Sequence, residues 1–102
     1  MGYNSTPNDM RVAQARACIL YDVNGKVHHI HHVVDTEGAD LTSDSSLIER
    51  AKSVAKELGD DPRRLHPLVV ESSDLEGVKV LRVDKEAKAV VTEKFPRISP
   101  SE

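Results

Sequence analysis

Four of the five histidines of the chain fall within five residues, as His28-His29-Ile30-His31-His32. An imidazole can ligate a metal, carry a proton, or supply a charge that appears as pH falls toward about 6.5. Successive side chains of a strand point to opposite faces, so His28, Ile30 and His32 share one face and His29 and His31 the other. The single cysteine, Cys18, lies in the preceding arm of the same hairpin. A two-residue Asn24-Gly25 loop sets Cys18 opposite His31 and on the face of His29. A three-residue loop with a bulge at Gly25 sets it opposite Ile30, beside His28 and His32. Either register gives one thiol and two imidazoles on a face, Cys18 with His29 and His31 or Cys18 with His28 and His32. Zinc accepts such a set when a fourth donor, here Asp35, Glu37 or His66, joins it.

Zinc signatures rest on paired ligands across knuckles or along a helix, and that spacing is missing. The expectation is therefore no bound metal and no cofactor, with the histidines as half-buried or solvent-facing strand residues. Clustered imidazoles that repel one another when charged give a third reading, a pH-responsive surface. Nucleophilic catalysis would draw on Ser72, Ser73, Asp74, His66 and Cys18, yet no nucleophile elbow or papain-like context surrounds them. No glycine-rich phosphate loop is present. Asp60-Asp61 and the acidic stretch from Asp35 to Asp40 lack the alternating oxygen ligands of an EF-hand loop and read as solvated loops. Arg63-Arg64 reads as a surface pair that could meet an anion.

The elements that must carry these residues follow from periodicity and turn chemistry. The run Ala17-Cys18-Ile19-Leu20-Tyr21 is rich in strand formers, and strand one is expected over about Ala15 to Asp22. Asp22-Val23-Asn24-Gly25 is a turn signal, with Asp at its first position and a glycine able to turn left-handed. The returning arm runs from Lys26 to Val34. Leu47, Ile48, Ala51, Val54, Ala55 and Leu58 recur at three-and-four spacing and predict an amphipathic helix over about Ser45 to Leu58. Ser46 with Glu49 fits a capping box, Thr42 to Ser45 offer alternative caps, and Gly59 stands at the C-terminal cap. On this reading Val54 is core, and Val54→Asp unfolds the protein. Asp61-Pro62-Arg63-Arg64 suits one helical turn. Strands are expected at Leu68 to Glu71, Val78 to Val83 and Lys88 to Glu93, the last two joined by Asp84-Lys85-Glu86-Ala87.

The order ββαβββ, runs of strands rather than strict alternation with helices, implies an α+β domain: a two-layer sandwich of one amphipathic helix on a mainly antiparallel sheet. At 102 residues there is room for a single domain, expected over residues 11–94, with polar tails at 1–10 and 95–102. The tail matches to a myristoylation pattern at Gly2 and a sequon at Asn4-Ser5-Thr6 are too short to carry meaning. Aromatic residues make up 3% of the chain and the net charge is −3, which disfavours nucleic acid, since stacking platforms and positive charge are both short. No apolar run reaches the roughly 18 residues of a membrane span. The lone cysteine excludes an intrachain disulfide framework and says little more about the compartment, while an N-terminus too polar for a signal h-region makes a cytoplasmic location the default. An open five-stranded sheet has two edges and a face that one helix leaves uncovered. The functional expectation is thus a small non-catalytic binding or interaction domain that self-associates as a homo-oligomer, a dimer first, with an unidentified protein or small ligand as further partner. The alternatives are a metal-binding protein using Cys18 and the His28 to His32 cluster, and a small enzyme with its site at a dimer interface.

Overall fold

The structure is a computed structural model that describes residues 12–38 and 40–94, so both expected tails lie outside the described residues. Its elements are β1 (Val12–Tyr21), β2 (Val27–Thr36), α1 (Asp44–Glu57), β3 (His66–Glu71), β4 (Val78–Asp84) and β5 (Ala89–Lys94), with short 3-10 turns at Pro62–Arg64 and Ser72–Leu75. The α+β class, the helix packed on antiparallel sheet and the order ββαβββ are as the sequence implies. The strands, however, divide between two sheets, β2-β1-β3 and β4-β5, rather than forming one.

The division follows from β1. Arg16 through Tyr21 are all buried, so this strand is covered on both faces. A continuous apolar run rather than an alternating one is the pattern such a strand requires. Cys18 and Leu20 face the helix, where they pack with Leu47, Ala51, Ala55 and Leu65, and with the partly buried Val33, Ile48 and Val69. Ile19 and Tyr21 face the other way and pack with Val83, Val90, Val27, Leu68, Val70 and Leu75. The β4-β5 hairpin therefore covers the face that the sequence reading leaves bare, and association has to be argued from the edges instead.

The helix begins at Ser43, whose hydroxyl accepts the Ser46 N–H at 3.1 Å, so the cap lies three residues before the expected capping box. It ends where Gly59, at φ +97, lets the Asp60 N–H return to the Ala55 carbonyl at 2.9 Å. Its buried stripe is narrow: Leu47, Ala51 and Ala55. Val54 is 37% exposed and Leu58 68%, which corrects the expectation that Val54 is core; both lie on the flank of the stripe. Among the described residues no helix is long and apolar enough to cross a membrane.

Gly25 joins the two sheets. It takes φ +81, which an L side chain rarely adopts, and its carbonyl accepts the Val83 N–H at 2.8 Å. Nearby, the Lys85 ammonium donates to the Val23 carbonyl. The turn that reverses β1 into β2 is thus also the support on which β4 rests.

Candidate functional site

The histidine strand, β2, lies at one edge of the three-stranded sheet and, among the described residues, pairs with β1 alone. Its register contains both sequence readings. Next to the turn Tyr21 pairs with Val27, as a loop bulged at Gly25 requires. A second irregularity then inserts His28 as an extra residue, after which Leu20 pairs with His29, Ile19 with Ile30 and Cys18 with His31. Beyond the bulge, His29, His31, Val33 and Asp35 point to the helix side and are partly or fully buried, while Ile30, His32 and Val34 are exposed on the opposite side.

The bulge frees His28 from strict alternation, and both early histidines meet carboxylates. His28 Nε2 is 2.9 Å from Asp22 Oδ2, and its Nδ1 is 3.6 Å from Asp60 Oδ1. His29 Nε2 is 2.6 Å from Asp60 Oδ2. Asp60 is in reach because the Gly59 cap turns the chain back toward β2. The Asp22 carboxyl is held below its ordinary range, first by the hydrogen bond with His28 and then by the Lys26 and Asn24 amides. Around these groups lies a cleft of about 750 Å³ between the β1-β2 turn and the segment after the helix, also lined by Asp61, Arg63, Arg64 and His66. Arg63 is tied to Asp61, at 3.2 and 3.3 Å, and that hydrogen bond lowers the Asp61 carboxyl.

At the other end of β2, Asp35 is buried rather than solvated. It accepts from Arg16 Nη2 at 2.9 Å and from the Thr42 hydroxyl at 2.8 Å. Arg16 also reaches Asp44 Oδ1 at 2.6 Å and the Thr42 carbonyl, tying the start of the helix to the sheet. The Thr42 hydroxyl, then Arg16, hold the Asp35 carboxyl below its usual range, and Asp35 in turn raises Arg16. Asp60 and the Asp22-His28 contact carry no signature in the sequence. Arg16 alone left a trace, a charge beside the apolar run of a central strand.

The two zinc sets fare differently. Cys18, His29 and His31 share the helix-side face, but His29 is engaged by Asp60. Cys18 is fully buried among Leu47, Ala51 and Ala55. His32 pairs with Ala17 and faces away from Cys18, so Cys18, His28 and His32 are not brought together. Of the proposed fourth donors, Asp35 is bound to Arg16, and His66 pairs with Tyr21 on the side opposite Cys18, the two rings 5.6 Å apart. Glu37 lies exposed in the turn beyond β2. Among the described residues no three His, Cys, Asp or Glu side chains converge to hold a metal ion. Burial pushes the Cys18 thiol up to about 11, which leaves it protonated and a poor nucleophile at neutral pH.

The chain matches no known protein-family model, no curated protein and no solved structure.

Proposed function

We propose that this chain is a non-catalytic binding domain that works self-associated, as a homodimer in the first instance, in the cytoplasm. The observation that carries the reading is the open edge of the three-stranded sheet at β2, a ten-residue strand with Ile30 38% and Val34 57% exposed. A long edge of this kind displays unpaired N–H and C=O groups that a further strand can satisfy. Two observations support the non-catalytic half. The only thiol is buried and protonated, and the cleft beside the His28 and His29 carboxylate contacts is lined by no serine, threonine, cysteine or tyrosine among the described residues. No side-chain hydroxyl or thiol of the described residues lies in that cleft for an imidazole to activate. The cleft instead offers charges of both signs to a small polar ligand.

Light scattering across a concentration series tests the association. The mass should rise toward twice the 11.2 kDa of the chain at high micromolar concentration. A mass fixed at 11.2 kDa throughout would refute the proposal.

A further inference from the structure

We infer that the partner at this edge is a second copy of the chain, added antiparallel along β2 with His32 on the two-fold axis, and that acid opens the contact. The inference rests on the reading of the chain as self-associating and specifies where and how it does so.

The three other edge strands are guarded. β3 carries Pro67 and Glu71, β4 carries Lys79 and Arg82, and β5 carries Glu93 and Lys94; charges and prolines are the devices by which edges resist pairing. From Val27 to Val34, β2 has no Lys, Arg, Asp, Glu or Pro. Its one carboxylate, Asp35, turns inward to Arg16. Among the described residues, no backbone hydrogen bond from an element other than β1 reaches this strand.

The pattern along β2 is self-complementary. A two-fold axis normal to the sheet keeps each face of the strand on the same side in both copies, so residues that oppose one another must share a face. Ile30 and Val34 are exposed on one face, two residues before and two after His32. An axis through His32 sets Ile30 against Val34 of the second copy, twice, and His32 against its own counterpart. Aliphatic cross-strand pairs of this kind stabilise a sheet. An axis through His31 would set Ile30 against a histidine and Val34 against the bulged His28, losing both apolar pairs.

Acid sensitivity follows from the same register. His32 faces Ala17 across β1, and Glu76 and Lys79 line the groove beside it, one charge of each sign. Protonation of both copies then places two like charges directly opposite, which destabilises a cross-strand pair. His28 and His29 sit with Asp22 and Asp60, so their charge is met within the chain.

The test uses the full chain with His32→Cys, Val34→Lys and His32→Asn, each checked for native circular dichroism. Because Cys18 is buried, mild oxidation of His32→Cys at pH 8 should give a dimer linked through position 32 on a non-reducing gel. In sedimentation equilibrium Val34→Lys should raise the dimer dissociation constant about tenfold or more. Wild type should weaken at least as much between pH 8 and pH 5, and His32→Asn should lose most of that dependence. A dimer of doubled mass that neither cross-links at position 32 nor weakens with Val34→Lys would overturn this interface while leaving self-association standing. A pH dependence that persists in His32→Asn would overturn the axis position, and a chain that is monomeric at every concentration would remove both proposals.

Discussion

Replacing Gly25 with alanine presses a methyl group onto the backbone of the neighbouring sheet. An ideal Cβ at this position lies 2.3 Å from the Val83 carbonyl oxygen, far inside van der Waals contact, and neither group can rotate away because both belong to the main chain. Three costs combine. Holding alanine at φ +81 costs about 1–2 kcal/mol. Displacing the β4-β5 hairpin to relieve the overlap costs about 1–3 kcal/mol as overpacking. Weakening the hydrogen bond from Val83 N–H to the Gly25 carbonyl, 2.8 Å long, removes about 1 kcal/mol. The expected loss is about 3–6 kcal/mol, a large share of a typical total of roughly 5–15. Gly59→Ala is the internal control: its φ is +97 and nothing lies within 4 Å of the added carbon, so only the conformational cost of about 1–2 kcal/mol applies. Urea titrations of the two variants, with fitted slopes, measure the difference directly. If Gly25→Ala loses no more stability than Gly59→Ala, the hairpin does not rest on the β1-β2 turn and the two-sided burial of β1 is wrong.

Other outcomes follow from the same packing. Ala51→Asp, which buries a carboxylate between helix and sheet, should cost several kcal/mol, while Val54→Asp on the flank should cost about 1 kcal/mol or less; the reverse order in urea would contradict the helix orientation. Asp35→Asn should destabilise at neutral pH. Since the native carboxyl titrates below its unfolded value, its stabilising effect is present above about pH 4 and fades on acidification, so the gap to wild type should close there; a gap constant with pH would refute the role of the carboxylate. Cys18 should resist thiol reagents at pH 8 until urea unfolds the chain, and stability should fall as pH rises from 9.0 toward about 11, because only the unfolded thiol ionises there. Native-state labelling at the rate of a free thiol would contradict its burial. Purified protein should carry no stoichiometric zinc, and replacing His29 and His31 together should leave stability within about 1 kcal/mol, as expected for a partly exposed contact such as that with Asp60; one zinc per chain by elemental analysis, lost in Cys18→Ser, would overturn this.

The helix was legible because its apolar spacing, its serine-rich start and Gly59 all point to one element, and the observed bounds, Asp44–Glu57, differ by one residue from expectation at each end. Its precise facing was not, since Val54 and Leu58 fit the same stripe as Ala51 and Ala55, and only the sheet decides which flank is wet. The strands were legible from β-branched runs and turns, yet the apolar block from Ala17 to Tyr21 carried more than was read from it: it marks a strand covered on both faces and so calls for a second layer. The site was less legible. A single-residue bulge at His28 depends on the closure of the Gly25 turn and on pairing across the sheet, and it decides which histidines share a face. The contacts of Asp60 with His29 and of Arg16 with Asp35 span 31 and 19 residues, separations that local pattern does not report.

The most direct measurement of the central claim is residue-resolved amide hydrogen exchange by NMR on the unmodified chain at pH 8, at low and at high micromolar concentration. Pairing between copies along β2 should slow exchange of alternate amides in the stretch from His29 to Asp35 as concentration rises, with β3 and the outer face of α1 unchanged. Exchange in β2 that is independent of concentration, or protection that appears on β3 or the helix instead, would contradict it.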